Sequence, residues 1–472
     1  MPYSKVASNA SIASLRDALP RSFWLDSKLA PVAAPPLTVD TSADLAVVGG
    51  GYTGLWTALQ AKEADPDRDV VILEAGACGG AASGRNGGFV DASLTHGFAN
   101  GLQRFPDELR TLIRLGDENL GGLEATLKRH NIGADFRRAG GFNVATEPYQ
   151  VEALAAAVSE GAEYGQQLEF WDRDRIQAEI HSPVFEAALL DVAGVALVDP
   201  ARLAWGLRQA CLDLGVRIFE HTGVTGLTDD GGAITLKTAH ASVRARRVAL
   251  ATNAFPPLLR RLRSYVLPVY DYVLMTEPLT PAQWDSIGWA GRHGLSDSGN
   301  QFHYFRPTAD GRILWGGYDA VYHWNNGVGP HLDQSPKTFG LLAEHFFEVF
   351  PQLTGLHFSH AWGGAIDTCT RFTAFWGLAN RGRVGYVLGF TGLGVAATRF
   401  GAATMLDLLD GADTERTRLE MVRSKPLPLP GEPLRSIGVS VTRWSLDRAD
   451  QSQGRRNPWL RTLDRLGLGF DS

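Results

Sequence analysis

Three cysteines, Cys78, Cys211 and Cys369, are all that the 472 residues contain, and they are odd in number and far apart. That excludes a disulfide framework and a clustered zinc motif, and points to reduced thiols in a cytoplasmic protein. No apolar run approaches the roughly 18 residues that a spanning helix needs, so no integral membrane segment is expected. The N-terminus has no charged-then-apolar leader pattern. Charge of one sign is also missing: the net value is −6. The small basic clusters Arg244/Arg246/Arg247 and Arg260/Arg261/Arg263 read as solvated faces, so nucleic acid and anionic membranes are not expected partners. No metal motif is present. The remaining composition, 44% hydrophobic and 20% charged, is that of a globular chain long enough for two domains.

Glycine is plentiful, and its placement carries the first functional signal. A β-branched run from Asp44 ends in Gly49-x-Gly51-x-x-Gly54, and a helical pattern opens at once through Tyr52 and Thr53. In a strand–turn–helix of this kind, Gly49 makes the turn, Gly51 lets backbone approach a pyrophosphate, and Gly54 lets helix pack on strand. The N–H groups and dipole at the helix start favour phosphate charge. A second buried-type strand, Val70-Val-Ile-Leu73, ends in Glu74, 20 residues past Gly54. An acid there binds ribose hydroxyls and repels a 2′-phosphate, which disfavours NADP.

After Glu74 and Ala75 comes a second glycine-rich tract containing Ser83-Gly84-Arg85-Asn86-Gly87-Gly88. Residues this small let a chain lie flat on a bulky planar ligand, and Ser83, Arg85 and Asn86 supply donors. With Gly49-x-Gly51-x-x-Gly54 and Glu74, this tract resembles the D-amino-acid-oxidase-like superfamily of flavoproteins. In pattern it is nearest the branch of γ-glutamylputrescine oxidase and the aminophosphonate oxidases. The resemblance implies FAD rather than NAD.

It also implies an α/β fold (α+β overall): a Rossmann-like FAD-binding domain of glutathione-reductase type, interleaved with an antiparallel-sheet substrate domain. The expected boundaries are an N-terminal arm at 1–42, an FAD-binding domain from 43–95, 198–262 and 375–412, a substrate domain from 96–197 and 263–374, and a tail at 413–472. The resemblance gives Val224 a backbone contact with adenine and places Thr252-Asn253 at the end of the strand beneath the cofactor. Gly389-Phe390-Thr391-Gly392-Leu393-Gly394, again strand, turn and helix, resembles the closing motif at the flavin pyrimidine edge. A helix N-terminus there stabilises negative charge on reduced flavin.

In this superfamily the donor is usually a C–H beside an amine nitrogen. Candidate substrate-site residues lie on a hairpin signal (302–306 and 312–318) and just before the last motif: His303, Tyr304, Arg306, Tyr318, Asp319, Trp362 and Arg371, with His96 after the glycine tract. Alternation puts His303 and Phe305 on one face, Tyr304 and Arg306 on the other. Arg306 or Arg371 would pair a substrate carboxylate or phosphonate, and Tyr304, Tyr318 or Trp362 would wall the pocket and stack on a cationic amine.

Trp362 stands where monomeric sarcosine oxidases carry their flavin-linking cysteine, so FAD is expected to be non-covalent. The strand Ile313-Leu-Trp315-Gly-Gly lacks those enzymes' oxygen-activating lysine, which leaves the acceptor open between O2 and another electron acceptor. The expected partner is a small-molecule amine; oligomeric state is not legible. In the arm, residues 12–19 read as a short amphipathic segment before Phe23-Trp24. The tail reads as Pro- and Arg-rich, with no chemistry attached.

Overall fold

The computed structural model describes residues 3–469. The strand Thr41–Val48 lies at the centre of a parallel sheet, with Val70–Leu73 and Arg217–Phe219 on one side and Ser242–Leu250 and Val384–Leu388 on the other. Phe375–Ala379 closes one edge antiparallel. The run Leu45–Val48 is apolar throughout because both faces are covered. Leu45 and Val47 pack on the helices Tyr52–Ala64, Pro200–Asp213 and Gly394–Asp410, while Ala46 and Val48 pack on the opposite face with Ile234 and Leu236 of a small meander.

A second, largely antiparallel sheet runs through Leu267–Thr276, Ile313–Gly317, His303–Pro307, Gly294–Asp297, Gly141–Ala145, Ala187–Asp191 and Leu168–Trp171, with Phe358–Thr368 paired along Leu267–Thr276. Side chains alternate between its faces. The register row Phe142, Leu295, Phe305, Trp315, Leu274 belongs to a buried core shared with the helix Pro336–Val349. The next row, Asn143, Ser296, Tyr304, Gly316, Val273, Trp362, faces the other way.

The arm docks on the body. A helix forms only over Asn9–Ala13, and the chain beyond it pairs with the edge of Phe358–Thr368: Leu19 N–H donates to Ser359 O at 2.9 Å, and Ala361 N–H to Leu19 O at 3.0 Å. The amphipathic segment 12–19 thus passes from a helical turn to a bridge on an open strand edge. Trp24 docks against Val273, Met275, Leu314 and Trp362.

The Pro- and Arg-rich tail is folded, with Met421 and Val422 buried in the main core and helices at Leu434–Asp450 and Pro458–Arg465. Among the described residues no helix is long and apolar enough to cross a membrane.

Candidate active site

Both glycine turns end parallel strands of one sheet and therefore open at the same carboxyl edge, where ligands bind in folds of this kind. Gly49 has φ 109°, and a Cβ there would lie 2.4 Å from Ala251 O; a Cβ on Gly54 would lie 1.8 Å from Gly49 O. Ser83 Oγ accepts from Tyr52 N–H at 2.8 Å, which places its hydroxyl at the helix N-terminus. Glu74 accepts from Gly50 N–H at 2.6 Å and Gly76 N–H at 2.7 Å, so its carboxylate is held beside the turn. Thr222 N–H donates to Glu74 O at 2.7 Å, and Gly223 abuts Ala75, which brings Val224 to the same corner.

The tract after Glu74 is stitched by its own polar side chains. Asn86 donates to Ala82 O and Ser83 O and accepts from Gly88 N–H. Arg85 donates to Gly80 O at 3.0 Å and pairs with Asp333. Gly84 packs on Gly79 O, and Gly87 lies flat on the Tyr304 ring, where a Cβ would come within 2.7 Å.

At the other turn, Gly389, Thr391 and Gly392 have positive φ, ahead of Leu393 and the helix starting at Gly394. Asp367 accepts from Gly389 N–H at 2.6 Å, and burial pushes its carboxyl up to about 7. His96 bonds the backbone of Thr391, and burial lowers its pKa. Asn253 reaches the same space from the end of Ser242–Leu250.

Between the turns and the second sheet lies a cavity of about 1320 Å³. Its floor is the outward row containing Tyr304, Val273 and Trp362, joined by Asp271 and Gly364 from the neighbouring register. Asp271 accepts the Tyr304 hydroxyl proton and the Tyr272 N–H; burial pushes its carboxyl up to about 6 and the Tyr304 phenol well up. Trp362 Nε1 donates to Arg85 O at 2.8 Å, which joins floor to glycine tract. Phe390 and Thr391 line one end, Tyr318 and Asp319 another.

The profile of the FAD-dependent oxidoreductase family, DAO, matches residues 44–408, a span that takes in both turns and the whole floor. The chain belongs to this family. As a DAO-family member it is an FAD-dependent oxidoreductase with a Rossmann-like FAD domain. It is similar to the γ-glutamylputrescine oxidoreductase of Escherichia coli K12, at 31% identity over 393 residues, 80% of this chain and 86% of that one. It is 24% identical over 353 residues to the sarcosine oxidase subunit β of Rhodobacter capsulatus, 69% of this chain and 74% of that one. The crystal structure of glycine oxidase from Geobacillus kaustophilus superposes with a TM-score of 0.66 at 18% identity, covering 81% of this chain and 99% of that one.

The expected substrate residues separate into two groups. Tyr304, Tyr318, Asp319, Trp362 and His96 stand on the DAO cavity wall. His303, Arg306 and Arg371 do not, and each has a structural reason. His303 is fully buried, with Nδ1 2.7 Å from Asp297 and Nε2 2.9 Å from His345. Arg306 donates to the carbonyls of Pro307, Gly88 and Val198. Arg371 donates to those of Thr373, Ala374, Met421 and Ser424. The guanidinium group of each arginine is therefore engaged by backbone carbonyls away from the cavity wall. Asp271 and Asp367 were not among the expected residues; the available signal was a lone carboxylate inside each of two strands, Leu267–Thr276 and Phe358–Thr368.

Proposed function

We propose that the protein oxidises a primary or secondary amine of amino-acid, γ-glutamyl-amine or aminophosphonate type. The observation that carries this reading is the Asp271–Tyr304 pair, buried on the floor of a largely apolar cavity. A buried carboxylate attracts a cationic ammonium and, once ionised, accepts its proton. Tyr304 orients that carboxylate through its hydroxyl. Tyr318 and Trp362 flank the site and stack on a cation or an apolar group. The surrounding apolar wall keeps water from the reacting carbon.

The residues fit FAD. Gly49, Gly51, Tyr52, Thr53, Gly54 and Ser83 would hold the pyrophosphate. Glu74 and Ala75 would meet the ribose, and Val224 the adenine. Residues 84–88, Thr252, Asn253 and the turn 389–394 would enclose the flavin. When bound, FAD supplies the two-electron acceptor for hydride from the carbon next to nitrogen, leaving an imine that water hydrolyses to carbonyl compound and amine. Dioxygen would re-oxidise the enzyme with release of H2O2. A second reading, a dehydrogenase with another acceptor, is favoured by one observation: among the described residues no lysine lines the cavity.

The names of the two curated relatives support an amine donor. The test is anaerobic bleaching of the flavin spectrum by a panel of amines, amino acids and aminophosphonates. Bleaching by one class is expected; no bleaching by any would sink the reading and leave a flavin-binding subunit. Peroxide release on admitting air then separates oxidase from dehydrogenase. Non-covalent binding is checked by acid precipitation, which should leave the yellow colour in the supernatant.

A further inference from the structure

The family match ends at residue 408, yet the cavity it defines is roofed by residues beyond that point. The helix Leu434–Asp450 brings Gly438, Thr442 and Leu446, spaced at four residues and so on one face, to the cavity. Leu429, Leu463 and Leu468 line it from the flanking segments. The same helix turns Val441 and Trp444 outward, where they are exposed.

The roof is held down mainly by polar ties. Asp450 accepts from the N–H groups of Asn300 at 3.0 Å and Gln301 at 3.1 Å. Arg443 lies 3.3 Å from Asp319. Lys5 bridges Asp447 and the Tyr318 hydroxyl, the latter at 2.7 Å. Asp319 and Tyr318 are themselves cavity-wall residues, so the roof is registered on the substrate end of the cavity.

The volume of about 1320 Å³ takes in the flavin end of the cofactor site as well as the substrate space, since Ser83, Asn253 and Phe390 also line it, and the roof covers the part towards Tyr318 and Asp319. We propose that residues 429–468 form the substrate-selecting roof of this cavity, and that the leucines on their underside, Leu446, Leu463 and Leu468, receive an extended apolar body on the amine substrate, with Thr442 and Arg443 beside them. The inference rests on the amine reading of the same site and narrows it: a glycine-sized amine leaves Leu446 and Leu463 without a partner, whereas an alkyl or aryl chain covers them.

The test uses the FAD-loaded enzyme under anaerobic conditions and a series of straight-chain primary amines of increasing length. The measured quantity is the rate constant of flavin bleaching divided by the amine dissociation constant. It should rise about fourfold per added methylene over several carbons, the factor expected for burying one CH2. The Leu446→Ser/Leu463→Ser variant should flatten that slope, while Trp444→Ala, altered on the outer face, should keep it. Hydrogen exchange on the unaltered enzyme gives an independent reading: a long amine should slow exchange across 434–465, and a short one should not.

No chain-length dependence, or an equal slope in all three proteins, overturns the roof proposal while amine bleaching stands. Failure of every amine to bleach the flavin overturns the amine reading and the roof proposal with it. If the serine variant does not fold, unchanged exchange in 434–465 with the long amine overturns the proposal by itself.

Discussion

The Tyr304 hydroxyl donates to Asp271 across two strands that are not neighbours: Ile313–Gly317 lies between them, and its Gly316 leaves room for the phenol. A Cβ on Gly316 would sit 2.7 Å from the Tyr304 ring. The pair therefore depends on a glycine in the intervening strand, and it sets the chemistry expected of the cavity floor.

Asp271 must be ionised to accept a proton, and burial places its carboxyl at about 6. The rate constant for amine oxidation per KM should rise with pH through that value. Asp271→Asn should lower it by about 100-fold or more and remove the acidic limb. Tyr304→Phe removes a donor that stabilises the ionised form, so the limb should move to higher pH. A pH profile of kcat/KM checks both, and an unchanged acidic limb in Asp271→Asn would refute the assignment.

Gly54→Ala should abolish FAD binding, because the new Cβ would fall 1.8 Å from Gly49 O and force helix and turn apart. The ratio of flavin to protein absorbance in the purified variant measures this; normal flavin content would count against the proposed site.

Trp24→Ala should cost about 3–5 kcal/mol of stability, since the indole is buried among Val273, Met275, Leu314 and Trp362. Denaturant unfolding followed by flavin fluorescence reads it out.

The buried His303–His345 pair predicts acid lability. Burial lowers His345 to about 3 from an ordinary 6.5, so the folded state favours the neutral ring. Its stabilising contribution is present above about 6.5 and is lost as pH falls towards 3. The unfolding midpoint of the native protein should drop over that range, and His345→Gln should flatten the dependence.

Much of the geometry at the proposed nucleotide site was legible in the chain because it is local. Gly49, Gly51 and Gly54 act within one strand–turn–helix, Asn86 bonds its own loop, and Glu74 ends the adjacent strand. The substrate end was less legible because it is assembled across a sheet. Arg306 and Arg371 look from sequence like free cations, but long side chains bring their guanidinium groups to carbonyls of distant segments. His303 alternates correctly with Tyr304, yet only the packed helix Pro336–Val349, carrying His345, decides that its face is core.

The sequence by itself determined a dinucleotide-type turn and the parallel sheet that carries it, since glycine spacing and β-branched runs encode backbone geometry directly; FAD rather than NAD followed from the resemblance of the glycine tracts to a flavoprotein family. Only the tertiary structure decided which face of the second sheet meets the cavity, that Asp271 joins Tyr304 there, and that residues 429–468 close over both. Those relationships depend on strand register and on contacts between segments 33 to 150 residues apart, which no local pattern specifies.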